Sequence, residues 1–85
     1  MKHVALLTEG TQPACEGIVE EHRKYLTELR LKGLLASSGP FQNVTGGLLI
    51  YNVADFDAAL EIIRHDPIIE SGCRHFELYT WANQD

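Results

Sequence analysis

The chain is short of several things, and each shortage excludes a class of protein. Two cysteines, Cys15 and Cys73, are too few for the disulfide framework of a small secreted domain. No apolar stretch approaches the roughly 18–20 residues of a membrane-spanning helix. Val4 to Leu7 is too short for the apolar region of a signal peptide, and Thr8-Glu9-Gly10 follows at once. These features predict a cytoplasmic protein that does not engage a membrane. Lysine and arginine number seven against twelve acidic residues, for a net charge of −5, and they are scattered along the sequence. Nucleic-acid backbones call for a clustered basic face, so a nucleic-acid partner is not expected. Low-complexity tracts and internal repeats are lacking too.

What is present is the composition of an ordinary folded, soluble protein. Eighty-five residues predict one domain, over 1–85. A domain this small buries only about 60–65% of the surface its unfolded chain exposes, so a partner subunit would add usefully to its core.

Residues 3–8 are short and apolar, which suits a strand, and 9–14 read as a loop around Gly10 and Pro13. From about Cys15 to Lys32, Ile18, His22, Tyr25, Leu26 and Leu29 recur at steps of three and four, which predicts a helix. Gly33 suits a left-handed cap. A second strand is expected over 34–38, stopped by Gly39-Pro40, and a third over 48–53. Asp55 can cap a helix reaching His65, with Phe56, Ala59, Leu60 and Ile63 on one face. Pro67 should stop it, because the residue before proline disfavours helical backbone. Residues 68–72 read as a linker and 73–81 as a fourth strand.

That order, βαββαβ, is the ferredoxin-like pattern: an α+β sandwich with a four-stranded antiparallel sheet and both helices on one face. The other face should then be polar. Instead Val4, Leu6, Leu48 and Ile50 alternate with Ala5, Leu7, Leu49 and Tyr51, so both faces are apolar. An identical sheet from a second subunit covers the open face most simply, which predicts a homodimer or higher homo-oligomer.

The topology gathers the start of the first helix, the end of the second strand and the end of the second helix at one rim. Ser37 to Pro40, His65, Asp66 and Cys73 lie there, and His22 faces it from a few turns down its helix. A carboxylate bonded to one imidazole nitrogen fixes the tautomer and leaves the other nitrogen free to move a proton. From periodicity alone His22 reads first as a half-buried histidine bonded to a backbone carbonyl. Asp66-Pro67 reads equally as a turn, although an acid at a helix C-terminus opposes the macrodipole. Ser38 and the Gly39 backbone suit a ligand oxygen, or a plain turn. His22, His65 and His75 lack a close ligand pair, so no metal is expected. Gly46-Gly47 precedes no helix and is not a phosphate loop. Cys15 and Cys73 read as ordinary thiols, with a redox pair as the alternative.

Several segments together resemble a known family. His22-Arg-Lys-Tyr25-Leu26, Gly33-Leu-Leu-Ala-Ser-Ser38-Gly39-Pro40, Gly46-Gly47-Leu-Leu-Ile50, Ala59 and Asp66-Pro67 are similar in order and spacing to the YCII-related (YciI-like) domain, over about His3 to Trp81. The resemblance implies a ferredoxin-like fold that pairs as a dimeric α+β barrel. It implies an active site on His22 and Asp66 with Ser38 beside them. Gly39, Pro40 and Tyr25 are expected, with Ser38, to bind the substrate. It also implies, by analogy, elimination or isomerisation by proton abstraction on a small polar ring or lactone. Two functions follow: a cofactor-free lyase or isomerase acting on a small polar metabolite, or a non-catalytic small-ligand-binding or interaction module.

Overall fold

Along the first strand, alternate side chains must point to opposite faces, and burial follows that period. Ala5 and Leu7 are buried, while Val4 and Leu6 stay partly open. The computed structural model describes residues 1–14 and 16–84. The elements run β1 (Lys2–Glu9), α1 (Glu16–Leu31), β2 (Leu35–Pro40), β3 (Gly47–Tyr51), α2 (Phe56–Arg64), α3 (Pro67–Glu70) and β4 (Arg74–Trp81). The four strands form one sheet in the order β2-β3-β1-β4, every neighbouring pair antiparallel. This is the ferredoxin-like fold.

One sheet face supplies Ala5, Leu7, Leu35, Leu49 and Tyr51 to the core. Leu26 and Leu29 of α1, Ala59 and Ile63 of α2 and Ile68 of α3 close over them. The helix caps match their residues. Gly33 takes a positive φ of 77° after α1, and Asp55 accepts from the Ala58 amide at 2.8 Å ahead of α2. On the opposite face Val4 stands between Ile50 and Tyr79, and Leu6 lies beside Leu48. Tyr79 and Trp81 extend this apolar stripe and are about half exposed, at 53% and 49%.

Three expectations need correction. Gly39-Pro40 does not stop β2; the strand continues, pairing Gly39 with Leu48 and Pro40 with Gly47. Proline is tolerated there because β2 is an edge strand, and the turn is closed instead by Phe41 N donating to Gly46 O at 2.9 Å. The third strand ends at Tyr51, two residues early, where Asn52 turns to donate its amide to Leu34 O at 2.8 Å. Residues 68–72 are not a plain linker. Pro67 occupies the first position of α3, where its missing N–H costs nothing, and Asp66 is the N-cap.

The β2–β3 ladder slips at Ala36: Leu35 faces Tyr51, but Ser37 already faces Ile50. One extra residue reverses the alternation beyond it. Ser38 therefore pairs with buried Leu49 and lies on the helix side, where an unbroken strand would have placed Ser37.

Candidate functional site

His22 is one turn ahead of Leu26 on α1, so the stripe that buries Leu26 and Leu29 also turns the imidazole inward. Asp66, wholly buried between α2 and α3, meets it there. Nδ1 of His22 lies 2.7 Å from Oδ1 and 2.9 Å from Oδ2 of Asp66. An ionised carboxylate only accepts, so Nδ1 carries the proton of a neutral ring and donates it. Oδ1 also accepts from the Ile68 amide at 3.0 Å. The carboxylate at the end of α2 thus has a structural task as the start of α3, which removes its conflict with the macrodipole. The His22 side chain retains 13% exposure, and among the described residues nothing else hydrogen-bonds to its ring. Nε2 is left to the space in front of it.

That space is a cavity of about 490 Å³ between α1 and the β2–β3 end of the sheet. His22, Ser38, Gly39 and Pro40 all line it, together with Gly46 and Gly47. The two glycines are there for packing. Gly46 has φ of +125°, and a Cβ on it would sit 2.0 Å from Leu7 O; one on Gly47 would sit 2.7 Å from Gly39 O. Ser38 Oγ accepts from Arg30 Nη2 at 2.6 Å, which leaves its O–H to donate. Tyr25 is outside the lining: its hydroxyl donates to Ile62 O at 2.7 Å, toward α2. Burial first, then the negative charge of Asp66, raises the Tyr25 phenol above its ordinary range. The same two causes, in the same order, push Tyr51 up much further. Its hydroxyl is buried and has no hydrogen-bond partner among the described residues.

Sequence reasoning missed Arg23, Arg30 and Arg74, which also line the cavity. The seven basic residues are therefore not evenly scattered in space. A signal existed for two of them: Val19, Arg23 and Arg30 follow one another at steps of four and seven on α1, beside the core stripe.

The other candidates stand apart. His65 is exposed and bonds back to Glu61 O at 2.8 Å; that bond first, then the Glu61 charge, raises its pKa. His75 is exposed on β4. No group of three or more metal-ligating side chains converges among the described residues. Cys73 is buried, with Sγ 3.4 Å from Pro13 O. Cys15 lies outside the described residues, and so does the redox pairing that would involve it. No described helix is long and apolar enough to cross a membrane.

Comparison with known proteins bears on both fold and family. The solved structure of 5-chloro-2-hydroxyhydroquinone dehydrochlorinase (TftG) from Burkholderia phenoliruptrix AC1100, in complex with 2,5-dihydroxybenzoquinone, is similar with a TM-score of 0.72. Identity is 17%, covering 99% of this chain and 96% of that one, so the likeness speaks for the fold. Protein YjpA of Bacillus subtilis (strain 168) is 29% identical over 76 residues, 89% of each chain. The YCII-related domain profile matches residues 1–82, nearly the whole sequence, and the chain belongs to that family.

Proposed function

We infer that this protein is a lyase or isomerase that moves a proton on a small polar metabolite, with His22 as general acid–base. The observation that carries this reading is the short bond from Nδ1 to a wholly buried carboxylate, with the ring at a cavity wall. Asp66 is the positioning residue: it fixes the tautomer and holds the ring plane. Nε2 then takes a proton from a substrate carbon, and Nδ1 keeps its bond to Asp66 throughout. The C–H electron pair forms the new double bond. Either a leaving group departs with its bonding pair and His22 passes its proton to that group or to solvent, or an existing double bond shifts its π pair to the carbon that takes the proton back from His22. This chemistry needs no cofactor. Ser38, Gly39 and Pro40 form the wall against which the substrate lies; Tyr25 has no part in it. The similarity in fold to a dehydrochlorinase supports a role on small molecules.

The test is a metabolite screen by thermal shift, followed by product analysis of each hit in D2O. We expect at least one hit to be converted, with deuterium entering carbon of an isomerised product, or a leaving group released where the reaction is an elimination, and His22→Ala to slow conversion about 10²–10⁴-fold while remaining folded. Conversion by His22→Ala at the wild-type rate would overturn the assignment. Hits that bind but return chemically unchanged would make the protein a binding module instead.

The working unit we infer is a homodimer paired through the open sheet face. Val4, Leu6, Leu48 and Ile50 are more apolar than a solvated face permits, and Tyr79 and Trp81 add exposed area. Light scattering should return twice the chain mass, and Ile50→Glu should return the chain mass alone. A monomer for the wild type would refute the pairing.

A further inference from the structure

We propose that the cavity is an anion site, and that the molecule it takes is a small organic acid held by its carboxylate. The proposal rests on the proton-transfer reading of this cavity and names the substrate class.

Three of the chain's four arginines line this one cavity. No acidic residue lines it, in a protein of net charge −5. Among the described residues none of the three lies within ion-pair distance of a carboxylate, which leaves their charge unneutralised at the cavity wall, as it is for the chain's lysines and its other arginine elsewhere. Arg30 spends one Nη2 donor on Ser38 Oγ at 2.6 Å, and Arg74 spends one Nη1 donor on its neighbour's carbonyl, Cys73 O, at 2.8 Å. Arg74 stands directly across the ladder from Glu9 yet makes no ion pair with it. Each guanidinium carries five donors, so most of them remain uncommitted. Asp66, the nearest buried negative charge, is turned to His22 and Ile68.

The rest of the lining says what the anion is attached to. Leu7, Leu26, Leu49 and Ile68 form an apolar floor. A free inorganic anion gains nothing from such a floor, whereas the ring or chain of an organic acid does. Planar guanidinium forks match planar carboxylates in two-point contact. Among the described residues lining it, no helix start supplies a phosphate cradle of backbone amides: Gly46 and Gly47 lead into β3. Ser38 then acts as a positioning residue, fixing the Arg30 fork through its hydroxyl. The arginines hold the carboxylate end while His22 reaches a carbon farther along.

The probe pair is benzoate and its neutral counterpart benzamide, titrated into the wild-type protein and followed by NMR at the backbone amides of Ser38, Gly46 and Gly47. Benzoate should saturate these shifts, and benzamide should bind at least about tenfold more weakly, since a charge-assisted contact is lost. Arg30→Gln and Arg74→Gln should each weaken benzoate about three- to tenfold, a range reduced for their solvent exposure. Arg30→Lys, which keeps the charge and loses the fork, should fall between. Equal binding of benzamide, undiminished binding by both glutamine variants, or no saturable benzoate binding overturns the proposal. Binding of inorganic phosphate in preference to benzoate overturns the carboxylate assignment. Failure of the proton-transfer reading is a separate result: His22→Ala would then convert substrate normally while benzoate binding to the wild type stood.

Discussion

Asp66→Asn should yield a folded protein whose conversion of substrate is about 10²–10⁴-fold slower. The asparagine keeps the volume and can keep its oxygen where Oδ1 sits, still accepting from the Ile68 amide that starts α3. Its NH2 group then occupies the place of Oδ2, 2.9 Å from His22 Nδ1. Nδ1–H then faces that donor as well as the retained oxygen 2.7 Å away, with the negative charge gone. The neutral ring sheds the donor–donor contact when its proton moves to Nε2, where Nδ1 accepts from the amide and Nε2 can no longer take a proton. Nitrogen-15 NMR of the imidazole reads this directly: protonated Nδ1 in the wild type, protonated Nε2 in the variant. Turnover within about threefold of wild type would show that His22 works without the carboxylate. Asp66→Ala is the contrasting case. It removes a helix cap, about 1 kcal/mol, and leaves buried donors unsatisfied, about 1–3 kcal/mol more. A loss of about 2–4 kcal/mol is severe for a domain whose whole stability is about 0.05–0.15 kcal/mol per residue.

The largest loss of stability should come from a single methyl group on the cavity wall. Gly46→Ala places a Cβ 2.0 Å from Leu7 O, backbone against side chain with no flexible end to yield, at a φ of +125° that L-residues rarely adopt. Relief requires β3 to move from β1 at the centre of the sheet. Strained backbone and overpacking each cost about 1–3 kcal/mol, so about 3 kcal/mol or more is expected, a large share of the domain's whole stability. Gly39→Ala is the control, because a Cβ there meets nothing within 4 Å. Urea melts of the two variants should differ widely. A Gly46→Ala midpoint close to wild type would mean that the β1–β3 contact is looser than it stands.

Much of this architecture was legible because its signals are local. The 3.6-residue recurrence of Ile18, His22, Tyr25, Leu26 and Leu29 marks α1, and Gly33 and Asp55 cap the helices beside them. The meeting of His22 with Asp66 came from chain topology and from a family resemblance, since 44 residues separate them. What escaped depends on relations that no single segment carries. Pro67 is a helix stop when read forward from α2 and a helix start when read into α3. Tyr25 shares the inward stripe with His22, but three residues along a helix turn it toward α2 and away from the cavity. The arginines look dispersed until α1 and the start of β4 are brought together.

The slip at Ala36 gives β2 a second meaning. Its two serines are chemically the same, and only the parity of the strand decides which one the cavity receives. Removing Ala36 would leave Ser38 opposite Leu49 in an unbroken ladder, whereas straightening the ladder with Ala36 kept would hand the position to Ser37 and send Ser38 to the opposite face. In a strand with both faces in use, one residue absorbed as a bulge thus decides a whole row of contacts, ligand side against outer side, without any change of side chain at the site.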